Sequence, residues 1–557
     1  MLFHPCKKNA VSFVKPKVYC VICKLNKRKI KMDNKQRKLS RGIQDFEQIR
    51  RDGYVYVDKT DLVWQMAHGD VYNYLSRPRR FGKSLLASTL QCYFEGKKEL
   101  FNGLKIMELE RDWTCHPVLH FDLSQGGSTN AKLISYLSSA LSAWEQLYGC
   151  VSSESVFQSL GVRFRQVIEK AYQETGQGVV VLIDEYDAPL QHTLFVSDEH
   201  EQCKITYRDF FAVLKAAGAH LRFVFLTGIT KFTQLSLFSV LNNLSNLSFQ
   251  SRYDAICGIT EEELVTTFRP ELEALGKANR WSMDVTLGHI KEMYDGYHFT
   301  EDLHDIYNPY SVICALSEMR LIGYWASSGG SSLLVDLVQH LETEVPDLEN
   351  VLISQDELLT SDISLDNVPL FLYQIGYLTI KGYADEIYTL GIPNKEVRNA
   401  LYQIILPKQL ALSKFSVSNA TLRLKTAILA GDIQEGMRQL EQLVAETPYS
   451  QDKKEMRIME ERFQFILKQI FYICGFQVEE EHHVAGGRID LVVRSAKNIL
   501  VLELKMDTNG GAEAAQEQIR ERGYADAYKG EKLPVFAIGI VFNAKKRGIS
   551  DWSIKTL

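Results

Sequence analysis

The sequence predicts an α/β protein in three stretches: an N-terminal domain around a mainly parallel sheet, a helical middle, and a C-terminal αβββαβ module. Three observations carry this. From about residue 42 to 260, short apolar, β-rich runs alternate with helix-spaced stretches, as parallel strands joined by crossovers require. From about 261 to 446 the spacing is mostly helical, with one β-like insert near 377–390. Beyond the polar, turn-rich linker 447–454, residues 455–557 read as a helix, three strands, a second helix and a strand.

Composition bounds the function. The 557 residues are 45% hydrophobic and 24% charged, which suits globular cores, and the net charge of −5 excludes a polycationic or an acidic disordered chain. No apolar run approaches the ~18–20 residues that span a bilayer, so a cytoplasmic protein with no membrane partner is expected. The first 31 residues hold nine Lys/Arg, no acid and three of the ten Cys. Residues 1–41 are therefore expected to be a basic, disordered extension, with Met32 as the true start; a basic tail touching nucleic acid is the alternative. Removing those nine positive charges from −5 leaves −14, a distinctly acidic chain. Cys20 and Cys23 have the gap of a zinc half-site but no second pair follows, and the seven later cysteines are expected as buried thiols.

In the first stretch, strands are expected at 71–75, 118–123, 179–183 and 222–227, and helices at 84–94, 131–146 and 156–174. The first strand runs into Ser76-Arg77-Pro78-Arg79-Arg80-Phe81-Gly82-Lys83-Ser84, and a helix follows. Strand, loop, Gly-Lys-Ser and helix is the context of a phosphate-binding P-loop. Backbone N–H groups at the helix start attract phosphate, Lys83 would reach the β- and γ-phosphates, and Ser84 would ligate Mg²⁺. Arg77 stands where such loops carry their first glycine, a departure expected to limit the left-handed conformations open to the loop; Arg79 and Arg80 would compensate by lying against phosphate oxygens.

About 100 residues later, a strand apolar on both faces ends in Asp184-Glu185, the signature of a central strand in a covered sheet. Asp184 would hold Mg²⁺ and Glu185 would polarise an attacking water. Thr227, at the end of another strand, is a candidate γ-phosphate sensor, and Arg252 a candidate arginine finger whose competing reading is an ordinary surface arginine.

These segments, with Tyr54-Val-Tyr-Val-Asp58-Lys59-Thr60, Ile183-Asp-Glu-Tyr-Asp187, Leu226-Thr-Gly-Ile-Thr-Lys-Phe232 and Tyr294-Asp-Gly-Tyr297, resemble the AAA-ATPase-like proteins of Bacteroides-type bacteria and some archaea. The resemblance runs from Gly42 to the C-terminus and includes the arginine-substituted loop. It implies an ATP-binding P-loop fold over residues 42–260, and its usual opening near Gly42–Phe46 agrees with Met32 as the start.

In the last stretch, residues 487–494 and 498–505 alternate as two strands joined at Ser495-Ala496-Lys497-Asn498. With Ala496 and Lys497 as a two-residue loop, Asp490 lies opposite Glu503, and the period of two puts Lys505 on the same face as Glu503, away from Leu502 and Leu504. Two carboxylates and a lysine suit metal-dependent phosphodiester cleavage: Asp490 and Glu503 as Mg²⁺ ligands, Lys505 orienting water or stabilising developing charge. An ordinary hairpin with surface charges is the plainer reading, but Glu503 lies in an apolar run, a costly place for an unpartnered acid.

Asp490, Glu503 and Lys505 in this order of elements resemble the PD-(D/E)XK nuclease superfamily, which implies a restriction-endonuclease-like fold for residues 455–557. Glu461 (or Glu460) resembles its additional helix acid, and Gln518, with Tyr524, its glutamine. Residues 455–557 carry 15 Lys/Arg against 15 Asp/Glu, so any nucleic-acid contact must come from local clusters such as Lys545-Lys546-Arg547. The expectation is an ATP-binding protein, able to self-associate, coupled to a Mg²⁺-dependent nuclease-like domain acting on DNA ahead of RNA. The alternative is a nucleotide-sensing scaffold with a catalytically silent nuclease fold.

Overall fold

The computed structural model describes residues 37–557 apart from 151–158, 231–243, 326–331, 341–347, 361–366, 446–455, 485–486, 508–509, 524–527, 529–531 and 544–547. The chain divides into two compact units, one running through Ala274 and including Leu316–Glu318, the other formed by Leu275–Ala315 and Met319–Leu557. The stretch 261–446, which spacing sets apart, is thus shared between them. The 447–454 linker, Met32 and the Cys20/Cys23 pair lie outside the described residues.

The first unit runs α1 (Phe46–Asp52), β1 (Tyr72–Ser76), α2 (Lys83–Phe94), β2 (Val118–Asp122), α3 (Asn130–Leu147), α4 (Leu160–Thr175), β3 (Val179–Asp184), α5 (Ser197–Ala216), β4 (Leu221–Gly228) and β5 (Ser245–Asn246). The strands form one parallel sheet in the order β2-β3-β4-β1-β5. All six β3 residues are buried, as an apolar strand covered on both faces must be. Phe121 of β2, Phe164 of α4 and Phe210 of α5 meet ring to ring, with centroids 4.5–5.3 Å apart. Arg163 of α4 holds Glu145 of α3 through two 2.8 Å bonds and also reaches Ser138 and Ser142, so this buried ion pair has its donors satisfied. This order places β4 between the strand that feeds the glycine loop and the strand that ends in Asp184.

In the second unit β6 (Val351–Ser354), β7 (Thr379–Ala384) and β8 (Ile387–Gly391) form an antiparallel sheet in the order β6-β8-β7. The β-like insert expected from sequence is the β7–β8 hairpin; Asp385 and Glu386, both at positive φ, make its two-residue turn. Helices α6 (Lys395–Gln409), α7 (Lys414–Ala430), α8 (Ile433–Val444) and α9 (Met456–Ile473) follow. Strands β9 (Gln477–Val484), β10 (Gly487–Arg494) and β11 (Ile499–Met506) come next, then α10 (Ala512–Glu521), β12 (Val535–Asn543) and β13 (Gly548–Thr556).

The last sheet has the order β13-β12-β11-β10-β9, with β11 and β12 parallel and the other pairs antiparallel. The expected αβββαβ order therefore holds and continues by one strand, β13, on the edge beside β12. One face of the sheet, through Leu491, Val493, Leu500, Leu502 and Leu504, shares a single apolar core with Leu424 and Ile428 of α7, Leu440 of α8 and Leu467 of α9. The helical middle is thus joined to the C-terminal module by burial. The other face packs Val501 and Ala537 against Ile519 of α10.

All seven described cysteines are free thiols; Cys115 and Cys150 are only half-buried, unlike the uniform burial expected. Among the described residues no helix is long and apolar enough to cross a membrane.

Candidate functional site

The glycine loop leaves β1 and ends where α2 begins at Lys83. Gly82 is the N-cap, at φ +95°, with no side-chain cap bond and no acid in the first helical turn. Uncapped N–H groups at a helix start suit an anion. The left-handed demand falls on Arg80 (φ +70°) and Gly82, not on Arg77. The expected penalty for a side chain at residue 77 is therefore absent. Arg77 is buried instead, and its guanidinium donates to the carbonyls of Ser76, Ser248 and Tyr253 at 2.9–3.1 Å, so the residue that replaces glycine anchors the loop.

Lys83 is buried and its Nζ donates to Pro78 O at 3.2 Å. Arg79 donates to Gln191 Oε1 at 3.3 Å, and Arg80 is half-buried. Across the sheet, Asp184 ends β3 beside Asp122 of β2. Burial pushes the Asp184 carboxyl up to about 6, opposed chiefly by a hydrogen bond from the Ser84 hydroxyl and by Lys83. Ser84, in the first turn of α2, is thus near enough to Asp184 to draw its carboxyl down. Glu185 follows at φ +51°, its N–H donating to Asp184 Oδ1 at 2.9 Å.

Two sequence-based candidates sit differently. Thr227, expected as a sensor, is wholly buried and its hydroxyl donates to Leu75 O at 2.8 Å, stitching β4 to β1. Arg252 is exposed, bonded to Gln250 Oε1 and stacked on Tyr253 at 4.7 Å, a surface position.

At the C-terminal hairpin the pairs Leu491↔Leu502 through Arg494↔Ile499 follow the expected register, and continuing it by one residue sets Asp490 opposite Glu503. The Leu504 N–H donates to Asp490 Oδ2 at 2.8 Å, and Gln464 of α9 holds Asp490 O at 2.9 Å. Glu503 is 4% exposed; Gln518 of α10 donates to its Oε1, while among the described residues its Oε2 has no hydrogen-bond partner. Burial, and then the Asp490 charge, push the Glu503 carboxyl up to about 8 against the pull of Arg522, Lys505 and Gln518. Lys505, two residues on along β11, is half-buried.

A buried acid with an orphaned oxygen, set across from a second carboxylate, fits a hard divalent cation. Among the described residues no group of three or more His, Cys, Asp or Glu could hold a metal, so the carboxylate set here is this pair. Glu461 and Glu460 fall in α9, but their side chains, like Tyr524 and Lys545-Lys546-Arg547, lie outside the described residues.

Sequence reading gave no role to four residues. Asp187 and Gln191 are one helical turn apart, a legible spacing; Arg522 stands one turn beyond Gln518. Gly539 gives no sequence signal, since only the pairing Glu503↔Gly539 brings it to the site.

The raised carboxyl makes a pH prediction. Its folded value, about 8, lies above the ordinary 4.5, so the folded state holds an extra proton between those limits. That contribution to stability is fully present below the unfolded value and is lost as pH rises through about 8. In a chelator, wild type should lose melting temperature relative to Glu503→Gln between about pH 5 and 8.5, and added Mg²⁺ should offset the loss at the alkaline end. Parallel pH profiles for the two proteins would contradict the assignment.

Together these features define a two-part protein: a parallel-sheet unit built around a P-loop, and a unit whose sheet presents an Asp–Glu–Lys constellation. The family described as "Predicted AAA-ATPase" matches residues 40–238, and the one described as "PD-(D/E)XK nuclease superfamily" matches residues 458–552. A relative from Azotobacter chroococcum mcd 1, named "Uncharacterized protein in vnfD 5'region", is 32% identical over 534 residues, 94% of this chain and 99% of the relative. The chain belongs to the family of AAA-ATPase-like proteins that carry a C-terminal PD-(D/E)XK nuclease superfamily domain.

Proposed function

We propose that this protein binds and hydrolyses ATP at the Lys83 loop and, with Mg²⁺, cleaves nucleic-acid phosphodiester bonds at Asp490–Glu503–Lys505, with the nucleotide gating or positioning cleavage. The observation that carries the reading is Glu503, buried beside a second carboxylate with one oxygen unsatisfied. Bound there, Mg²⁺ supplies a water of lowered pKa and charge against the scissile phosphate. Asp490 and Glu503 hold the ion, Gln518 fixes the Glu503 carboxylate, and Lys505 meets the developing negative charge. In the first unit Lys83 turns from Pro78 O to the β- and γ-phosphates, Ser84 and Asp184 keep the metal, and Glu185 orients the attacking water. DNA is the expected substrate ahead of RNA; because the last hundred or so residues are balanced in charge, contact must come through local Lys/Arg clusters, whose phosphate contacts give a salt-sensitive affinity.

The test is a cleavage screen on single-stranded, duplex and branched substrates, with Mg²⁺ or Mn²⁺ and with or without ATP. Lys83→Ala should weaken ATP binding by about 10-fold or more by calorimetry, because it removes the cation that would reach the β- and γ-phosphates. No ATP binding by wild type would refute the first half, and no metal-dependent cleavage on any substrate the second. Tight ATP binding with neither turnover nor cleavage would mark a nucleotide switch instead.

A further inference from the structure

Asp187 is wholly buried and serves none of the roles assigned above. Its Oδ2 accepts from Ile229 N at 2.9 Å, from Thr230 N and Oγ1 at 2.6 Å each, and from Gln191 Nε2 at 2.5 Å. The chain after β4 passes so close to this carboxylate that a Cβ on Gly228 would lie 2.2 Å from Asp187 Oδ1. Two tyrosines reinforce the junction: Tyr186 and Tyr74 both donate to Thr230 O, at 2.8 and 3.2 Å. The turn after β3 and the turn after β4 are therefore one hydrogen-bonded block. Glu185, in its left-handed conformation, is the residue between Asp184 and the anchored Tyr186, whose N–H donates to Thr227 O.

Gln191 ties this block to the phosphate loop. It is 3% exposed, and its amide is divided: Nε2 faces Asp187, and Oε1 accepts from Arg79 Nη2 at 3.3 Å. An amide this buried cannot exchange a lost partner for water, so any movement of Arg79 is felt at Oε1.

Resting on the reading of the Lys83 loop as an ATP site, we propose that Gln191 is a positioning residue that couples Arg79 to the Asp187–Thr230 block, so that engagement of Arg79 by the γ-phosphate resets the turn holding Glu185. ADP, which lacks that phosphate, leaves Arg79 on Gln191. Gln191 thereby sets which nucleotide the site answers to without touching nucleotide itself.

The experiment uses the full chain and compares wild type, Gln191→Ala, Arg79→Ala and the double variant, measuring ATP turnover, ADP affinity by calorimetry and melting temperature. Gln191→Ala should lower ATP turnover by about tenfold with ADP affinity within about twofold, and should add almost nothing to Arg79→Ala. Additive losses, or ADP affinity and melting temperature falling together with turnover, would show a merely structural residue and overturn the inference. If Gln191→Ala does not fold, Gln191→Met fills the same space, offers Arg79 no amide oxygen and sets no charge against Asp187. It should lower ATP turnover while sparing ADP affinity, an effect that Arg79→Ala must mask. Wild type that binds neither nucleotide overturns the ATP reading and this inference with it, whereas intact binding and turnover in every Gln191 variant overturns the inference alone.

Discussion

Asp490→Asn is expected to lower metal-dependent cleavage by about 10²–10³-fold, the size of effect that follows loss of one group stabilising a transition-state charge. The substitution is chemically narrow. An amide oxygen at residue 490 still accepts the Leu504 N–H, so the hairpin keeps its register, and the melting temperature should stay close to that of wild type. What is lost is negative charge, hence metal affinity. Raising Mn²⁺ should recover part of the activity in Asp490→Asn, while Lys505→Ala, which leaves both carboxylates, should respond less to metal concentration. Cleavage that survives both substitutions would remove this hairpin from the chemistry altogether.

Gly539→Ala should damage the same site from the opposite side of the sheet's βαβ crossover. Residue 539 pairs with Glu503, and a Cβ there would lie 2.1 Å from Ala512 O and 2.8 Å from Gln516 N. Both are backbone atoms of α10, which cannot yield without moving the helix. The expected cost is about 1–3 kcal/mol, as for other overpacked contacts, and displacement of α10 withdraws Gln518 from Glu503. Unfolding of this unit should shift to lower denaturant and cleavage should fall, with ATP binding unchanged. Gly511→Ala is the control, since a Cβ there meets nothing within 4 Å and the backbone φ is −88°. Wild-type stability and activity in Gly539→Ala would mean that α10 does not need its close approach.

The reach of sequence reasoning differs between the two sites. The hairpin register was legible because side chains alternate with a period of two and a two-residue loop leaves one way to pair the strands; the observed pairs follow it. At the phosphate loop, the order of strand, glycine and helix was equally plain, but the meaning of Arg77 was not. A glycine replaced by arginine reads as strain when only the loop is considered. The carbonyls of Ser248 and Tyr253 that occupy Arg77 come from more than 170 positions away, and no local pattern announces them. Thr227 shows the same limit: a hydroxyl at a strand end looks free until the neighbouring strand is known, and here it donates to Leu75 of β1.

Local chemistry was thus written in the chain from the start: a parallel α/β unit, an uncapped helix behind a glycine, and two acids and a lysine on one hairpin face, all set by periodicities of a few residues. Long-range packing settled the rest. It joined the helical middle to the nuclease-like sheet in one core, added β13 to its edge, turned Arg77 inward, and gathered Asp187, Gln191 and Arg79 into a single network. Those outcomes depend on which distant backbone groups need partners once water is excluded, a requirement that exists only in the folded chain.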